Sequence, residues 1–188
     1  MTSLADFEET GALLTGHFRL SSGRHSDRYL QCARLLQWPD RAGSAGRELA
    51  FALAEFSPTV VVSPAMGGII IGHEVARALK VPFLFAERQE GEFVLRRGFR
   101  LEPDARVAVV EDVFTTGKST LEVISAVTPL GGRVVAVGSI VNRGVPSGIF
   151  PVPSRSLLSL DVPSWPEPEC PLCRGAVPLD TPGSRYRR

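Results

Sequence analysis

Apolar residues change their spacing several times along the middle of the chain, and each change predicts a new element. Four short apolar runs predict strands at 59–63, 82–86, 106–110 and 134–141. Three stretches with helical character predict helices at about 41–56, 68–80 and 121–130. Strands that alternate with helices favour a parallel sheet with helical crossovers, so we expect an α/β fold.

The two ends of the chain follow a different pattern. Residues 18–36 predict short extended pieces around the polar turn 21–27. Nine prolines follow Asn142 and exclude a long helix there. We expect these ends, at about 15–36 and 145–185, to form a small hood beside the sheet. The chain of 188 residues is then one domain with a full core.

Charge is nearly balanced over the whole chain. Lys plus Arg is 21, Asp plus Glu is 20, and the net charge is +1. Such a balance gives no general attraction to nucleic acid or membrane, so we expect neither as a partner. The first nine residues are acidic, unlike a signal peptide, and no apolar run approaches the ~20 residues of a membrane span. We therefore expect a cytoplasmic protein.

The metal-binding residue types are few: Cys32, Cys170, Cys173, His17, His25 and His73. Cys170 and Cys173 have the spacing of a metal knuckle, but a structural zinc site needs four ligands and the chain has no second cysteine pair. The histidines fall in other sequence contexts. We favour two ordinary thiols in a C-terminal turn over a reversible thiol pair or a zinc site.

The segment 106–120, RVAVVEDVFTTGKST, contains the clearest chemical signal. Its apolar run predicts a buried strand, and Glu111 and Asp112 stand at the carboxyl end of that strand. Ligands of open α/β sheets bind at the carboxyl ends of strands. The two carboxylates are therefore candidate site residues.

The loop after these carboxylates has the composition of an anion site. Thr115, Thr116 and Ser119 offer hydroxyls, and Gly117 permits close approach of the backbone. The free N–H groups of the following helix would point at a ligand, and Lys118 adds a full positive charge. A phosphate monoester fits this loop.

Two negative charges beside a phosphate site need another purpose. Vicinal hydroxyls or a Mg²⁺ would supply it, so the inferred ligand carries a phosphate and a polyhydroxylated sugar. A triphosphate loop is excluded, because it requires a glycine where this chain has Asp112. A plain helix cap would explain Thr116 or Ser119 singly, but not the whole group.

The segment 88–100, RQEGEFVLRRGFR, allows two interpretations. One is a surface β-hairpin with solvated charges. The other is a mobile loop that closes over a pyrophosphate with its four arginines: Arg88, Arg96, Arg97 and Arg100.

The segment 106–120 resembles the phosphoribosyl pyrophosphate signature of the type I phosphoribosyltransferases. Two further segments narrow the resemblance to the orotate phosphoribosyltransferases: 16–26, which is similar to their N-terminal element over the base, and 63–68, which is similar to their pyrophosphate loop. Residues 141–144 and the C-terminal Cys-Pro-Leu-Cys at 170–173 extend the match. The resemblance runs over nearly the whole chain. It implies a type I phosphoribosyltransferase-like parallel sheet, flanked by helices and completed by the hood.

The resemblance also implies an activity. A 5-phosphoribosyl group would pass from phosphoribosyl pyrophosphate to orotate, giving orotidine 5′-phosphate and pyrophosphate in de novo pyrimidine biosynthesis. Mg²⁺ would be the cofactor, bound through the substrate with no direct protein ligands. A basic loop that reaches the neighbouring subunit would make the protein a homodimer with shared active sites.

The resemblance assigns roles by position. The catalytic group would be Glu111, Asp112 and Arg88. The donor would be bound by Arg88, Glu111, Asp112, Val113, Phe114, Thr115, Thr116, Gly117, Lys118 and Ser119. Orotate would be bound by Thr115, Arg143 and Tyr29. The pyrophosphate would be bound by Ala65, Met66, Gly67, Arg96 and Arg97.

The chain departs from better known members of this family. Those carry lysines where this chain has Ser21 and Gly67, and a lysine and a histidine in the mobile loop. Arginine stabilises charge but is a poor general acid, so the proton donor to pyrophosphate is open, and Lys118 partly replaces a missing lysine. Transfer to another base and non-catalytic sensing of phosphoribosyl pyrophosphate remain the alternatives.

Overall fold

The structure is a computed structural model that describes residues 1–20 and 22–182. Ser21 and the last part of the expected hood, 183–185, lie outside the described residues. The strands are β1 (Leu13–Arg19), β2 (His25–Leu30), β3 (Val60–Pro64), β4 (Phe83–Gln89), β5 (Glu92–Leu95), β6 (Arg106–Phe114), β7 (Arg133–Asn142) and β8 (Ser154–Ser159). The helices are α1 (Leu4–Glu9), α2 (Ala33–Leu36), α3 (Pro39–Ala54), α4 (Gly68–Leu79), α5 (Lys118–Val127) and α6 (Pro171–Arg174).

The chain divides into two compact units. The sheet unit contains Met1–Ser3 and Leu36–Leu160, and the terminal unit contains the described residues of Leu4–Leu35 and of Asp161–Pro182. Of the described residues, no helix is both long and apolar enough to cross a membrane.

A six-stranded sheet forms the centre of the sheet unit, in the order β5-β4-β3-β6-β7-β8. All neighbouring strands are parallel except β4 and β5. The central strands are buried because their residues are apolar on both faces; every residue of β3 is buried, and so are Val107–Val110 of β6. The expected α/β fold with a parallel sheet is confirmed.

The C-terminal part of the expected hood, 145–185, begins later in the structure, because strand β8 belongs to the sheet. Residues 145–160 belong to the sheet unit, and β8 pairs in parallel with β7 along the sheet edge. The prolines at 151 and 153 precede the strand, so they remove no hydrogen-bond donor from its ladder. Pro153 contributes instead its carbonyl, which accepts the N–H of Val137 at 2.9 Å.

Helix α5 begins at the phosphate loop, and its bounds differ from the predicted 121–130. Its buried residues are Thr120, Val123 and Val127. The helix ends at Val127, and a 3₁₀ turn follows, so Leu130 lies outside the helix and is 53% exposed. The helix therefore starts three residues before the predicted range and ends three residues before its end.

Strands β4 and β5 form an antiparallel hairpin across Glu90 and Gly91, which both have positive φ. Such a conformation matches the two-residue turns that suit the twist of a hairpin. Residues 88–95 thus have the surface-hairpin form. A mobile loop at 88–100 stays a prediction.

The terminal unit is built on the antiparallel pair β1–β2. The C-terminal segment joins this pair through bridges from Asp180 to Phe18 and from Trp165 to His25. It also brings Cys170 and Cys173 next to two histidines of the pair. The expectation that the histidines are unrelated to the cysteine pair is therefore wrong for His17 and His25.

Candidate active site

Two adjacent carboxylates lie near the carboxyl end of β6, which continues to Phe114, four residues beyond the predicted strand. Glu111 is 8% exposed and Asp112 is half-buried. Oε1 of Glu111 accepts the N–H of Asp112 at 3.2 Å, and Oδ1 of Asp112 accepts the N–H of Val113 at 2.9 Å. The backbone thus holds both side chains at this edge of the sheet.

Burial and like charge act together on this acid pair. The pKa of Glu111 is raised well above its ordinary value, first by burial and then by the neighbouring Asp112. Burial also raises the pKa of Asp112. A cation or a hydroxyl donor at the pair would stabilise its ionised form.

The loop between β6 and α5 turns on Gly117, which has φ +74° and precedes the first helical residue. A Cβ at Gly117 would lie 3.0 Å from the ring of Phe150, which packs on Phe114 at 4.8 Å between ring centroids. The cap residue Gly117 has no side chain to bond the amides of the first turn, and the hydroxyl of Thr116 accepts the N–H of Lys118 at 3.3 Å. The remaining first-turn amides and the exposed Thr115 and Thr116 can therefore bind an anion at the N-terminus of α5.

The loop between β3 and α4 reaches the acid pair. The N–H of Ala65 bonds to the carbonyl of Ala86 on β4 at 2.8 Å, and the peptide bond between Ala65 and Met66 is cis. A Cβ on Gly67 would lie 2.9 Å from Oδ1 of Asp112. The predicted pyrophosphate loop and the acid pair are therefore in contact, and the glycine leaves the carboxylate its space.

Arg143 follows β7 at the same sheet edge. Phe114 at the end of β6 pairs with Asn142 at the end of β7, and the carbonyl of Phe114 accepts the N–H of Arg143 at 2.8 Å. The side-chain oxygen of Asn142 accepts the N–H of Val145 at 2.7 Å and fixes the turn beyond. Thr115 and Arg143 thus directly follow the paired ends of β6 and β7 and lie next to each other.

The hairpin arginines are paired with glutamates. Arg88 donates to Oε2 of Glu122 at 2.5 Å, and its guanidinium lies 4.2 Å from the ring centroid of Phe93. Arg97 donates to both carboxylate oxygens of Glu87, at 2.8 and 2.9 Å, and this bond lowers the pKa of Glu87.

Glu122 was not foreseen as a partner of Arg88. It also lies 3.8 Å from Nζ of Lys118, four positions earlier on α5. The spacing of Lys118 and Glu122 could have been read from the sequence, since side chains four positions apart meet on a helix. The contact of Glu122 with Arg88 has no such signal. Arg96 directly follows β5 and is exposed.

A groove of about 750 Å³ lies between the hairpin and α5. It reaches the phosphate loop at Thr116 and Lys118, and its floor includes Phe93 and Leu121. Neither carboxylate of the acid pair lines it, so it is separate from the predicted ribose position.

Tyr29 lies in the terminal unit, where its ring is 5.8 Å from that of Phe18. The other predicted site residues lie in the sheet unit. The contact of Tyr29 with a base stays a prediction.

Comparison with known proteins identifies the class of this protein. The model of the phosphoribosyl transferase domain matches residues 31–152. The orotate phosphoribosyltransferase of Aeropyrum pernix has a similar structure, with a TM-score of 0.68 and 28% identity over 82% of this chain and 91% of that one. These matches define a phosphoribosyltransferase.

Two further relatives narrow the class. The orotate phosphoribosyltransferase of Thermotoga maritima is 52% identical over 95% of both chains. That of Mycobacterium tuberculosis, solved in complex with 5-phospho-α-D-ribosyl 1-diphosphate, has a TM-score of 0.61 and 27% identity, over 77% of this chain and 89% of that one. The chain belongs to the orotate phosphoribosyltransferase family.

Proposed function

We propose that the protein transfers the 5-phosphoribosyl group of phosphoribosyl pyrophosphate to N1 of orotate, as a step of pyrimidine biosynthesis. The anomeric carbon loses its bond to pyrophosphate and gains one to nitrogen, giving orotidine 5′-phosphate. The observation that carries this proposal is the acid pair of β6 directly before the phosphate loop of α5. The names of the relatives support the choice of orotate.

The phosphate end of the donor binds at the N-terminus of α5. Thr115, Thr116 and Ser119 donate their hydroxyls, and the amides of the first helical turn add their partial positive charge. Val113 and Phe114 bring the backbone to this position. Lys118, whose side chain is 78% exposed, adds a full charge at the rim.

The acid pair acts on the ribose. Glu111 and Asp112 accept hydrogen bonds from its hydroxyls and hold the sugar in place. Their negative charge also favours the oxocarbenium-like carbon that forms as the bond to pyrophosphate breaks. Arg88 completes the predicted catalytic group by favouring the charge on the leaving group.

Mg²⁺ fits this site by its chemistry. Two adjacent carboxylates with raised pKa lie beside a loop that suits phosphate, and oxygen ligands are the ones Mg²⁺ prefers. Glu111 and Asp112 would hold the ion through the ribose and its water shell, and the ion would neutralise charge on the pyrophosphate.

The pyrophosphate binds where the β3–α4 loop meets Asp112. The backbone of Ala65, Met66 and Gly67 approaches this position closely. Arg96 and Arg97 join from the hairpin once the bond from Arg97 to Glu87 is broken.

Orotate binds at the end of β7. Arg143 holds its carboxylate with two parallel hydrogen bonds, since a guanidinium matches a carboxylate in this way. Thr115, on the neighbouring strand end, touches both substrates, and Tyr29 packs beside the base.

The functional form in this proposal is a cytoplasmic homodimer. Arg88 and Arg97 are exposed, so their side chains can contact a second subunit. A dimer with shared active sites then supplies each acid pair with basic groups from its partner.

An absorbance assay tests the proposal. The protein is mixed with phosphoribosyl pyrophosphate and Mg²⁺, and with orotate, uracil or hypoxanthine in parallel. We expect consumption of orotate alone. Turnover of another base would replace the proposal with a different transferase, and donor binding without any turnover would favour a sensor.

A further inference from the structure

Outside the candidate active site, the terminal unit contains four metal-ligating side chains in one cluster. We name it the Cys₂His₂ cluster: His17, His25, Cys170 and Cys173. The ligand atoms of these residues all lie within 4.8 Å of one another. His17 and Cys170 are 153 positions apart in the sequence, so their meeting is a property of the fold alone.

The distances in the cluster are close to those of a tetrahedral zinc site. Nε2 of His17 lies 3.5 Å from Sγ of Cys170 and 3.7 Å from Sγ of Cys173. Nδ1 of His25 lies 3.2 Å from Sγ of Cys173. Zinc bonds of about 2.3 Å to sulfur and about 2.0 Å to nitrogen place such atoms about 3.5 Å apart. Nε2 of His17 and Nδ1 of His25 are 2.9 Å apart, and two zinc–nitrogen bonds of about 2.0 Å would move them only to about 3.3 Å.

Hydrogen bonds within the chain do not satisfy this cluster. Nδ1 of His17 lies 2.8 Å from the carbonyl of Val177, so it carries the proton and donates it there. Nε2 of His17 then has one lone pair, while His25 and both thiols converge on it. One lone pair serves one donor well. A cation in their midst would instead be bound by all four.

The backbone fixes the two histidines in advance. The carbonyl of His17 accepts the N–H of Asp180 at 2.8 Å, and His25 exchanges two backbone bonds of 2.8 Å with Trp165. Both rings are buried, with residue exposures of 3% and 1%. The histidines are thus tied to the C-terminal segment independently of any metal.

A tight turn fixes the two cysteines. The N–H of Arg174 bonds to the carbonyl of Cys170, and the N–H of Ala176 bonds to that of Cys173. Val177, which follows directly, supplies the carbonyl that orients the ring of His17. A hydrogen bond of this kind to a ligating histidine is the usual outer support of a metal site.

We propose that the Cys₂His₂ cluster binds one Zn²⁺ as a closed structural site. Two thiolates and two imidazoles in tetrahedral positions suit zinc. Four protein ligands leave no open position, so the ion stabilises the terminal unit and does no chemistry on a substrate. The ion replaces one proton on each thiol, and these protons pass to the solvent. The proposal does not depend on the proposed transferase activity.

Metal content is the direct test. The protein is prepared without a histidine tag, desalted, and analysed by inductively coupled plasma mass spectrometry. We expect about one zinc per chain, because zinc sites of this kind bind at roughly nanomolar strength or tighter. Co²⁺ in place of zinc should give the visible absorption of a tetrahedral thiolate centre. Excess Mg²⁺, which prefers oxygen ligands, should displace neither ion.

Matched variants locate the ion. Cys173→Ser, at the accessible side of the cluster, should lower the zinc content at least tenfold, and His17→Gln should do the same. Cys32→Ser and His73→Gln change the same residue types elsewhere and should keep one zinc per chain. Zinc retained by Cys173→Ser, or no zinc in the parent protein even after incubation with Zn²⁺, would overturn the site.

Thermal unfolding gives an independent readout. Removal of zinc should lower the Tm of the parent protein by roughly 10 °C, and zinc should restore it. The Cys173→Ser variant should unfold at the lower temperature with or without zinc. A Cys170–Cys173 disulfide in protein prepared under reducing, oxygen-free conditions would contradict the proposal, because a disulfide leaves no thiolate for the metal.

Discussion

The sheet unit holds two sets of charged side chains in opposite ways. Glu111 and Asp112 are carboxylates side by side near the end of β6, and burial raises the pKa of both. Arg88 on β4 and Arg97, two residues after β5, are exposed cations, and each is bonded to a glutamate. The fold disfavours the ionised form of the acid pair, whereas it supplies each of the two arginines with a carboxylate as counter-charge.

This difference separates a preformed site from one that must rearrange. A ligand that brings hydroxyls or a cation to the acid pair recovers the cost of burying two negative charges. An anion that takes Arg88 or Arg97 must first replace a glutamate. The acid pair should therefore govern the reaction itself, and the hairpin should contribute a smaller, adjustable part.

The largest expected effect comes from Asp112→Asn. The variant keeps the shape of the side chain but removes the negative charge from the reacting sugar, so turnover should fall about 100- to 1,000-fold. Steady-state kinetics with orotate and the donor measure it. Asp104→Asn makes the same change at an exposed turn before β6 and should retain full turnover. Equal losses in the two variants would remove the special role of the acid pair.

Arg143 is a cation at the same sheet edge as the acid pair, and its substitution should have the next largest effect. Arg143→Ala should raise the KM for orotate roughly 10- to 100-fold, the loss expected for a charged hydrogen-bonding partner, and leave the KM for the donor within about threefold. Arg133→Ala, at the other end of β7, is the control. A rise only in the donor's KM would move Arg143 from the base to the phosphates.

Glu111→Gln should have opposite effects on activity and on stability. Turnover should fall, but the free energy of unfolding near neutral pH should rise by about 1 kcal/mol, since an uncharged amide replaces a disfavoured carboxylate. Urea unfolding measures the change, with the exposed Glu102→Gln as the control. No gain in stability would mean that the folded protein already compensates the charge of Glu111.

The pH dependence of that gain has a definite sign. The pKa of Glu111 in the folded protein lies above the ordinary 4.5, so between those values the folded state holds a proton that the unfolded state has lost. The contribution of Glu111 to stability is therefore present below pH 4.5 and declines as pH rises through the raised pKa. The difference between Glu111→Gln and the parent protein should widen over that range.

The smallest effect is expected for Glu122→Gln. The substitution removes the counter-charge of Arg88 and Lys118 and should change the free energy of unfolding by less than about 1 kcal/mol, as is usual for exposed ion pairs. The KM for the donor should fall about twofold because two cations near the phosphate loop lose a competing anion. Glu87→Gln, which frees Arg97, provides the matched comparison. A large loss of stability would show that the hairpin depends on these pairs.

Contiguous features of the molecule could be predicted from the sequence. The acid pair, the phosphate loop and the start of α5 lie within fifteen residues, 106–120, and one strand–loop–helix junction places them together. The parallel sheet followed from the alternation of apolar runs with helical segments. The position of Arg143 also followed, because β7 was predicted and parallel strands end at the same edge.

Features that depend on pairing between distant segments could not be predicted. Strand β8 was hidden by the prolines around it, which exclude a helix but not an edge strand. The bonds of Arg88 to Glu122 and of Arg97 to Glu87 depend on side-chain positions that no periodicity encodes. The histidines near Cys170 and Cys173 stand in β1 and β2, and only the tertiary fold identifies them as neighbours.

The terminal unit has a consequence for synthesis on the ribosome, because its two parts are made at different times. His25 and Cys173 are separated by 148 positions. At about 5–20 residues per second, roughly 7 to 30 seconds pass between them. The residues of the sheet unit from Leu36 to Leu160 emerge in that interval and can fold first. The strands β1 and β2 must wait for the C-terminal segment, so a chain that stops early would leave their buried faces open to other proteins.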